Sequence, residues 1–166
     1  MLASAYFSLS YLELRSASSM SQSELRLKDD PIFKILTRFN KITIVGLSPD
    51  PTRPSYQVAQ YLIQAGYDVN GVRPNTQSIL DRPCFPTLAH VPGPLEIVVV
   101  FRSSEHIPAL VLELLVVRAK VLWLQEGISH PESEKKARSS GIFVISNRCI
   151  KKEHQRIKST GVGQAS

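Results

Sequence analysis

The stretch KITIVGLSPDPTRPSYQVAQYL, residues 41–62, constrains the fold more than any other part of the chain. Ile42 to Val45 is short, apolar and β-branched, which reads as a buried strand, and Gly46 ends it. A polar loop from Leu47 to Pro54 follows, stiffened by Pro49, Pro51 and Pro54 and carrying Arg53. From Ser55 the spacing turns helical, with Val58, Ala59, Leu62 and Ala65 on one face and Gly66 where a closing residue belongs. Pro54 suits a first helical position, which needs no N–H. Strand, loop and helix start form a geometry that presents backbone N–H groups to a phosphate. Ser48 and Ser55 add hydroxyl donors, and Arg53 adds a planar cation. Only Gly46 remains of a dinucleotide G-x-G-x-x-G, no G-K-[ST] ends a P-loop, and Gly46-Leu47-Ser48-Pro49-Asp50 lacks the second glycine of a nucleophile elbow. An ordinary βα loop stiffened by proline therefore stays open as the plainer reading.

The rest of the chain alternates strand and helix. Asp29 or Asp30 can cap a helix that starts at Pro31 and turns Ile32, Phe33, Ile35, Leu36 and Phe39 inward. Tyr67 to Val72 reads as a second strand ending in Arg73-Pro74-Asn75, and a short strand near Cys84-Phe85 interrupts the loop-rich residues 76–94. Glu96 to Phe101 is a strand, followed by a helix with Ile107, Leu110, Val111 and Leu114 inward. Lys120 to Gln125 is another strand, and a polar helix starts at Ser129 or His130 and closes at Gly141. Ile142 to Ser146 is the last strand, and a basic helix runs from Lys151 to Lys158. The alternation predicts right-handed βαβ units. The runs IVVVF and VLWL are apolar on both faces, as a sheet covered on both sides requires. The expected fold is α/β: one Rossmann-like, doubly wound domain with a mainly parallel sheet of five to six strands. It occupies residues 24–158, between a disordered or mis-called extension over residues 1–23 and a frayed tail over 159–166. The extension is serine-rich and without periodicity, and its first nineteen residues are read as an over-called stretch ahead of a true start at Met20.

In such sheets ligands sit at the carboxyl ends of the strands. The loops expected there carry Arg53, Arg73, Arg102 and Arg148, an anion-friendly set in a chain of net charge +6 and pI about 9.5. The second strand ends in Val72-Arg73-Pro74-Asn75 with no acid for a ribose 2′-hydroxyl, which argues against NAD and suits the phosphorylated ribose of NADP or coenzyme A. Two cysteines make neither a disulfide framework nor a four-ligand zinc site, and they point to a reducing, cytoplasmic setting. No histidine has metal-ligand spacing to another histidine or a cysteine, and no apolar run reaches the roughly 18–20 residues of a membrane span.

Taken together, VGLSPDPTRPSYQVAQYL, the V-x-P end of the second strand, VVVF-R, LWLQEGI and NRCIKKEHQR resemble the small stand-alone CoA-binding proteins. Those share their fold with the CoA-binding domain of the succinyl-CoA synthetase alpha subunit. The resemblance covers roughly residues 28–157 and implies that coenzyme A or an acyl-CoA binds at the strand ends. It implies phosphates on Gly46, Ser48, Arg53 and Ser55 and adenosine near Val72 and Pro74, with Tyr56, Arg73, Phe101, Arg102, Gln125 and Arg148 completing the candidate set. The sequence departs from the family at Arg73, where asparagine is usual, and at Asp81, where glycine is usual; both bear on the expected adenine and 3′-phosphate pocket. The chain is too short for the synthetase's second, phosphohistidine-bearing domain, so the expected role is binding without catalysis, with no catalytic residue and no metal. An NADP-dependent reductase or a CoA-transferring enzyme is the alternative. A basic nucleic-acid-binding protein ranks last, because the aromatics fall in strands and amphipathic faces rather than among exposed basic residues. The partner is a small nucleotide ligand, and a homo-oligomer stays open. Cys149, beside Arg148 at a helix start, is placed where a thiol could meet that of the coenzyme.

Overall fold

The computed structural model describes residues 22–160. Two helices, α1 (Gln22–Asp29) and α2 (Pro31–Arg38), precede strand β1 (Lys41–Val45) and helix α3 (Pro54–Gln64). Strands β2 (Asp68–Val72), β3 (Ser78–Ile79), β4 (Arg82–Phe85) and β5 (Ile97–Val100) follow, then helix α4 (Ile107–Val116) and strand β6 (Val121–Leu124). Helix α5 (Pro131–Ser139), strand β7 (Phe143–Ile145) and helix α6 (Ile150–Ser159) complete the domain. The extension expected over residues 1–23 lies outside the described residues except for its last two positions, which open α1; the tail expected from Ser159 lies outside them beyond Thr160.

The sheet order is β3-β4-β2-β1-β5-β6-β7, parallel throughout except for the two-residue β3, which pairs antiparallel with β4. The six parallel strands are those expected from the sequence, and β3 raises the total to seven. Two residues carry no period, so β3 could not be read from pattern. The order reverses at β1: the chain winds from β1 outward to β2 and β4, then returns to β5 and winds the other way. Right-handed crossovers in opposite directions put their helices on opposite faces. One face packs Ile32, Ile35, Val58, Leu62, Ile150 and Ile157 of α2, α3 and α6 against Ile42, Ile44, Ile97, Val99, Trp123 and Ile145. The other packs Ile107, Leu110, Val111 and Leu114 of α4 and Ala137 of α5 against Val45, Val98, Val100, Leu122 and Leu124. Both faces of β5 and β6 are buried, which is why their sequences are apolar without alternation.

The helix starts obey local rules. Asp30 caps α2, its carboxylate accepting from the Ile32 N–H at 2.8 Å, with Pro31 first in the helix. His130 caps α5, its Nδ1 accepting from the Ser133 N–H at 3.3 Å. The buried Glu134 then ties this loop to β7, because Oε1 accepts from Ser129 Oγ (3.0 Å), the His130 N–H (3.0 Å) and Ser146 Oγ (2.7 Å), while Oε2 accepts from Arg138 (3.1 Å). Burial by itself raises the Glu134 pKa; the bonds from Ser146, His130, Ser129 and Arg138 outweigh it and hold the carboxyl below its ordinary value.

The Asp81 departure resolves into turn chemistry. Leu80 and Asp81 are the two loop residues of the β3–β4 hairpin, between the paired Ile79 and Arg82, and both have φ of 55°. This is the conformation of a type I′ turn, which favours glycine at the second position, and Asp81 is exposed and away from the strand-end clefts.

Two predictions follow from these features. Asp81→Gly should raise stability in urea unfolding by up to about 1 kcal/mol, since it relieves a left-handed L-residue; a loss of stability would contradict the turn assignment. Glu134→Gln should cost about 1.5–3 kcal/mol at neutral pH, the range for hydrogen bonds to a charged group. Because the folded-state pKa is depressed, the wild-type advantage is fully present above the ordinary carboxylate value of 4.5 and is lost as pH falls through the folded value. Unfolding of both proteins across acidic pH should therefore show curves that converge, and a constant gap would refute the assignment.

Candidate functional site

The carboxyl ends of β1, β2, β4, β5 and β6 open on one edge of the sheet. Gly46, directly after β1, sits with φ of +83°, and a Cβ there would lie 2.7 Å from the Phe101 carbonyl oxygen. Its N–H donates to the Val72 carbonyl (3.2 Å), and the Phe101 N–H donates to the Val45 carbonyl (2.9 Å). Only glycine lets the β1 loop leave the sheet this close to the β5 loop.

Two clefts flank this crossing. The first, about 330 Å³, is lined by Gly46, Ser48, Arg53, Pro54, Ser55, Arg73 and Phe101. It brings together six of the residues expected from the sequence. The second, about 270 Å³, is lined by Val45, Val72, Pro74, Pro86, Thr87, Leu88, Arg102, His106, Ala109, Leu110 and Glu113. It holds Val72, Pro74 and Arg102 of the expected set. Arg73 donates to the Leu47 carbonyl at 3.3 Å, and the stem of Arg102 runs within 3.3 Å of the Cβ position of Gly46. Arg73 therefore lines the first cleft and Arg102 the second, on either side of the crossing, and neither has an acidic partner among the described residues.

The phosphate-type loop differs from expectation in one respect. Most of its amides are bonded within the protein rather than free. Ser48 N–H donates to Ser55 Oγ (3.0 Å), Asp50 N–H to Ser48 Oγ (3.2 Å), Thr52 N–H to Asp50 Oδ1 (2.9 Å) and Arg53 N–H to the Asp50 carbonyl (3.1 Å). Asp50 is thus an Asx-type organiser of its own turn, and the Thr52 hydroxyl and N–H together hold its carboxyl below its ordinary value. What the cleft lining offers an anion is a smaller set: the hydroxyl groups of Ser48 and Ser55, whose oxygens accept from the loop amides, and the guanidinium groups of Arg53 and Arg73. Arg53 is exposed, with Nε 4.0 Å from Asp50, a distance that leaves its fork open.

Three expected residues line neither cleft. Tyr56 is half-buried against the core on the α3 side. Arg148 is turned to Glu153, 3.0 Å away, while its carbonyl accepts the Trp123 indole N–H at 2.8 Å. Gln125, just past β6, is 4% exposed, and its Nε2 has no hydrogen-bond partner among the described residues. Pro86, Thr87, Leu88, His106 and Glu113 were not expected in the site. The signal was there in part: β4 is parallel, so the loop after it had to reach the same edge as the other four.

Among the described residues no helix is long and apolar enough to cross a membrane, and no group of three or more His, Cys, Asp or Glu is placed to hold a metal ion.

Known proteins resemble this chain in sequence and fold. The uncharacterized protein YneT of Bacillus subtilis (strain 168) is 37% identical over 123 residues, which are 74% of this chain and 91% of that protein. A solved structure of a hypothetical protein from Pyrococcus horikoshii OT3 matches with a TM-score of 0.75 at 35% identity, covering 84% of this chain and 97% of its own. An acetyl-coenzyme A synthetase of Ca. Korarchaeum cryptofilum shares the fold at 21% identity and a TM-score of 0.59, over 69% of this chain and 27% of the enzyme. Residues 40–155, from β1 to the middle of α6 and including both clefts, match the CoA binding domain model, and the chain belongs to that family.

Proposed function

We propose that the protein binds coenzyme A, free or acylated, across the carboxyl ends of its strands and carries out no reaction of its own. The observation that carries this reading is the pair of clefts at the switch point. One is polar and cationic, the other is walled by Val72, Pro74, Leu88 and Leu110, and Arg73 lines the first and Arg102 the second. A nucleotide with a pyrophosphate and a 3′-phosphorylated ribose has this sequence of chemistries. Its pyrophosphate suits Ser48, Ser55 and Arg53, its adenine suits the apolar walls, and its 3′-phosphate suits Arg73 and Arg102.

Membership of the CoA binding domain family supports the reading, as does the fold shared with an acetyl-coenzyme A synthetase. A third support is the unpaired amide of Gln125. Buried donors are nearly always satisfied, so this one calls for an acceptor the protein does not supply. The arm of coenzyme A carries two amide carbonyls. Phe101, which lines the first cleft, would pack against the methylene chain between phosphate and thiol, with the buried Gln125 amide behind the sheet edge and outside both clefts. Tyr56 supports the loop from the core side, and Arg148 serves the fold through Glu153 and Trp123 rather than the ligand. A cytoplasmic setting accords with this ligand and with two free thiols.

Isothermal titration tests the proposal. Coenzyme A should bind with a Kd in the micromolar range or tighter, and dephospho-coenzyme A should bind roughly 10- to 100-fold more weakly, the equivalent of one charge-assisted contact. Arg53→Ala and Arg73→Ala should each weaken coenzyme A by a similar factor. Arg73→Ala alone should also narrow the gap between the two ligands. A Kd in the millimolar range for the wild-type protein, checked for folding by circular dichroism, would sink the reading.

A further inference from the structure

The second cleft is electrically polarised along its length. At about 270 Å³ it lies at the small end of ligand pockets, which run from roughly 300 to 1,000 Å³, so it takes one ring system rather than a whole nucleotide. At one end stand Arg102 and His106, and the stem of Arg102 lies against the crossing at Gly46, so this end adjoins the phosphate cleft. At the other end stands Glu113, two turns beyond His106 and about 10 Å from it along the axis of α4. His106, Ala109, Leu110 and Glu113 follow the spacing of a single helical stripe, so one face of α4 makes a wall of the cleft from its cationic end to its acidic end. Pro74 and Pro86, from the loops after β2 and β4, belong to the apolar part of the lining.

Glu113 stands apart from the other charged groups. Among the described residues that line the cleft it is the one acid, and its carboxylate makes no hydrogen bond or ion pair with any described residue. The positions three and four residues away on its own helix hold Ala109, Leu110, Val116 and Val117, so no helical ion pair accounts for it. The other polar groups of the cleft have partners or face elsewhere. His106 Nε2 lies 3.6 Å from Glu105, and the Thr87 hydroxyl is 2.8 Å from His90 Nδ1. An acid in a site otherwise suited to anions repels phosphate from its own end of the cleft, and it accepts from any N–H that a ligand brings there.

Resting on the coenzyme A reading, we propose that Glu113 is the residue that selects the base: its carboxylate accepts a hydrogen bond from the exocyclic 6-amine of adenine. Adenine joins its ribose through N9 and carries the amine on the far side of the ring system. The polarity of the cleft fixes which way round it lies, with the phosphorylated ribose toward Arg102 and the amine toward Glu113. The amine supplies donors, whereas guanine has a carbonyl oxygen at the same place, an acceptor that meets the carboxylate unfavourably. A base that covers Glu113 and brings no donor takes water from the carboxylate and returns no bond. Sites built to receive a ligand's N–H reject the analogue that lacks it for this reason. The first cleft then reads the phosphates, and one residue of α4 reads the base.

The test is isothermal titration of the full chain with coenzyme A and with an analogue that carries purine in place of adenine, a hydrogen standing where the 6-amine was. The wild-type protein should bind coenzyme A roughly 10-fold tighter than the analogue or better, the effect of one charge-assisted hydrogen bond. In Glu113→Ala the two ligands should bind within about threefold of each other, and Glu113→Gln, which keeps the shape and a neutral acceptor, should fall between. Glu113 is exposed and alanine is a good helix former, so the variant should fold. The analogue should bind Glu113→Ala more tightly than it binds the wild type, a gain that a damaged fold would not give. Equal affinity of the wild type for the two ligands, or the same ratio in Glu113→Ala as in the wild type, would overturn the proposal and leave the coenzyme A reading standing. A wild-type protein that binds coenzyme A only in the millimolar range would remove that reading and the proposal with it.

Discussion

Two backbone hydrogen bonds at the end of β1 decide where everything in the site stands. The Gly46 N–H reaches the Val72 carbonyl on one side, and the Val45 carbonyl receives the Phe101 N–H on the other. They join the loops after β2, β1 and β5 at the point where the sheet reverses its winding. The chain must leave β1 toward α3 on one face while the β5 loop leaves toward α4 on the other. A side chain on residue 46 would push these loops apart, since its Cβ would meet the Phe101 carbonyl at 2.7 Å. The two clefts are the spaces left on either side of that crossing, so their separation is a property of the topology before it is a property of any side chain.

Charge is then distributed selectively over this frame. The chain is basic overall, yet several of its arginines are committed. Arg138 is paired with Glu134, Arg148 with Glu153, and Arg156 with both Asp30 and Glu153. Arg156 joins α6 to the cap of α2, and its hydrogen bond to Asp30 raises its own pKa. Arg53, Arg73 and Arg102, by contrast, stand at the clefts with at most a distant carboxylate. Like charges held near one another repel, so these three side chains leave a positive field at the strand ends.

Most of the architecture was legible because it is written in period and punctuation. The β-branched runs, the Gly46 and Gly66 stops, Pro31, Pro54 and Pro131 at helix starts, and the apolar face of α4 each specify a local choice, and the choices agree with one sheet. The site was legible only where the strand ends were. Ser48, Arg53, Ser55 and Arg73 line one cleft because they follow β1 and β2 closely. The internal bonding of the loop amides was not legible, because a sequence shows which donors exist but not which acceptors reach them. Arg148 illustrates the same limit. It sits at the right strand end, but Glu153 competes for it, and pairing five residues apart across a helix start depends on side-chain direction. The Asp81 departure looked like a change to the pocket and is a change to a hairpin, because β3 is too short to announce itself.

A remaining constraint sets how two of the helix starts stand to each other. The polar loop after β1 opens α3 and Cys149 opens α6, so the distance between these starts depends on how α3 and α6 pack. Tyr61 of α3 and His154 of α6 make that contact, with the Tyr61 hydroxyl 2.8 Å from His154 Nδ1 and the rings edge to face at 5.6 Å. Tyr67 adds a second edge contact to His154 at 5.5 Å, while its hydroxyl donates to the Leu36 carbonyl and burial pushes its pKa up to about 12. Burial, and next the nearby Lys158, hold the His154 pKa below its ordinary value. A neutral ring can accept the Tyr61 hydroxyl proton at Nδ1, whereas a charged one would present a second donor to it and lose the bond. The neutral state therefore does structural work at the seam. It lets two helices approach at their middles, and with their middles fixed, their N-termini stand a fixed span apart along the sheet edge.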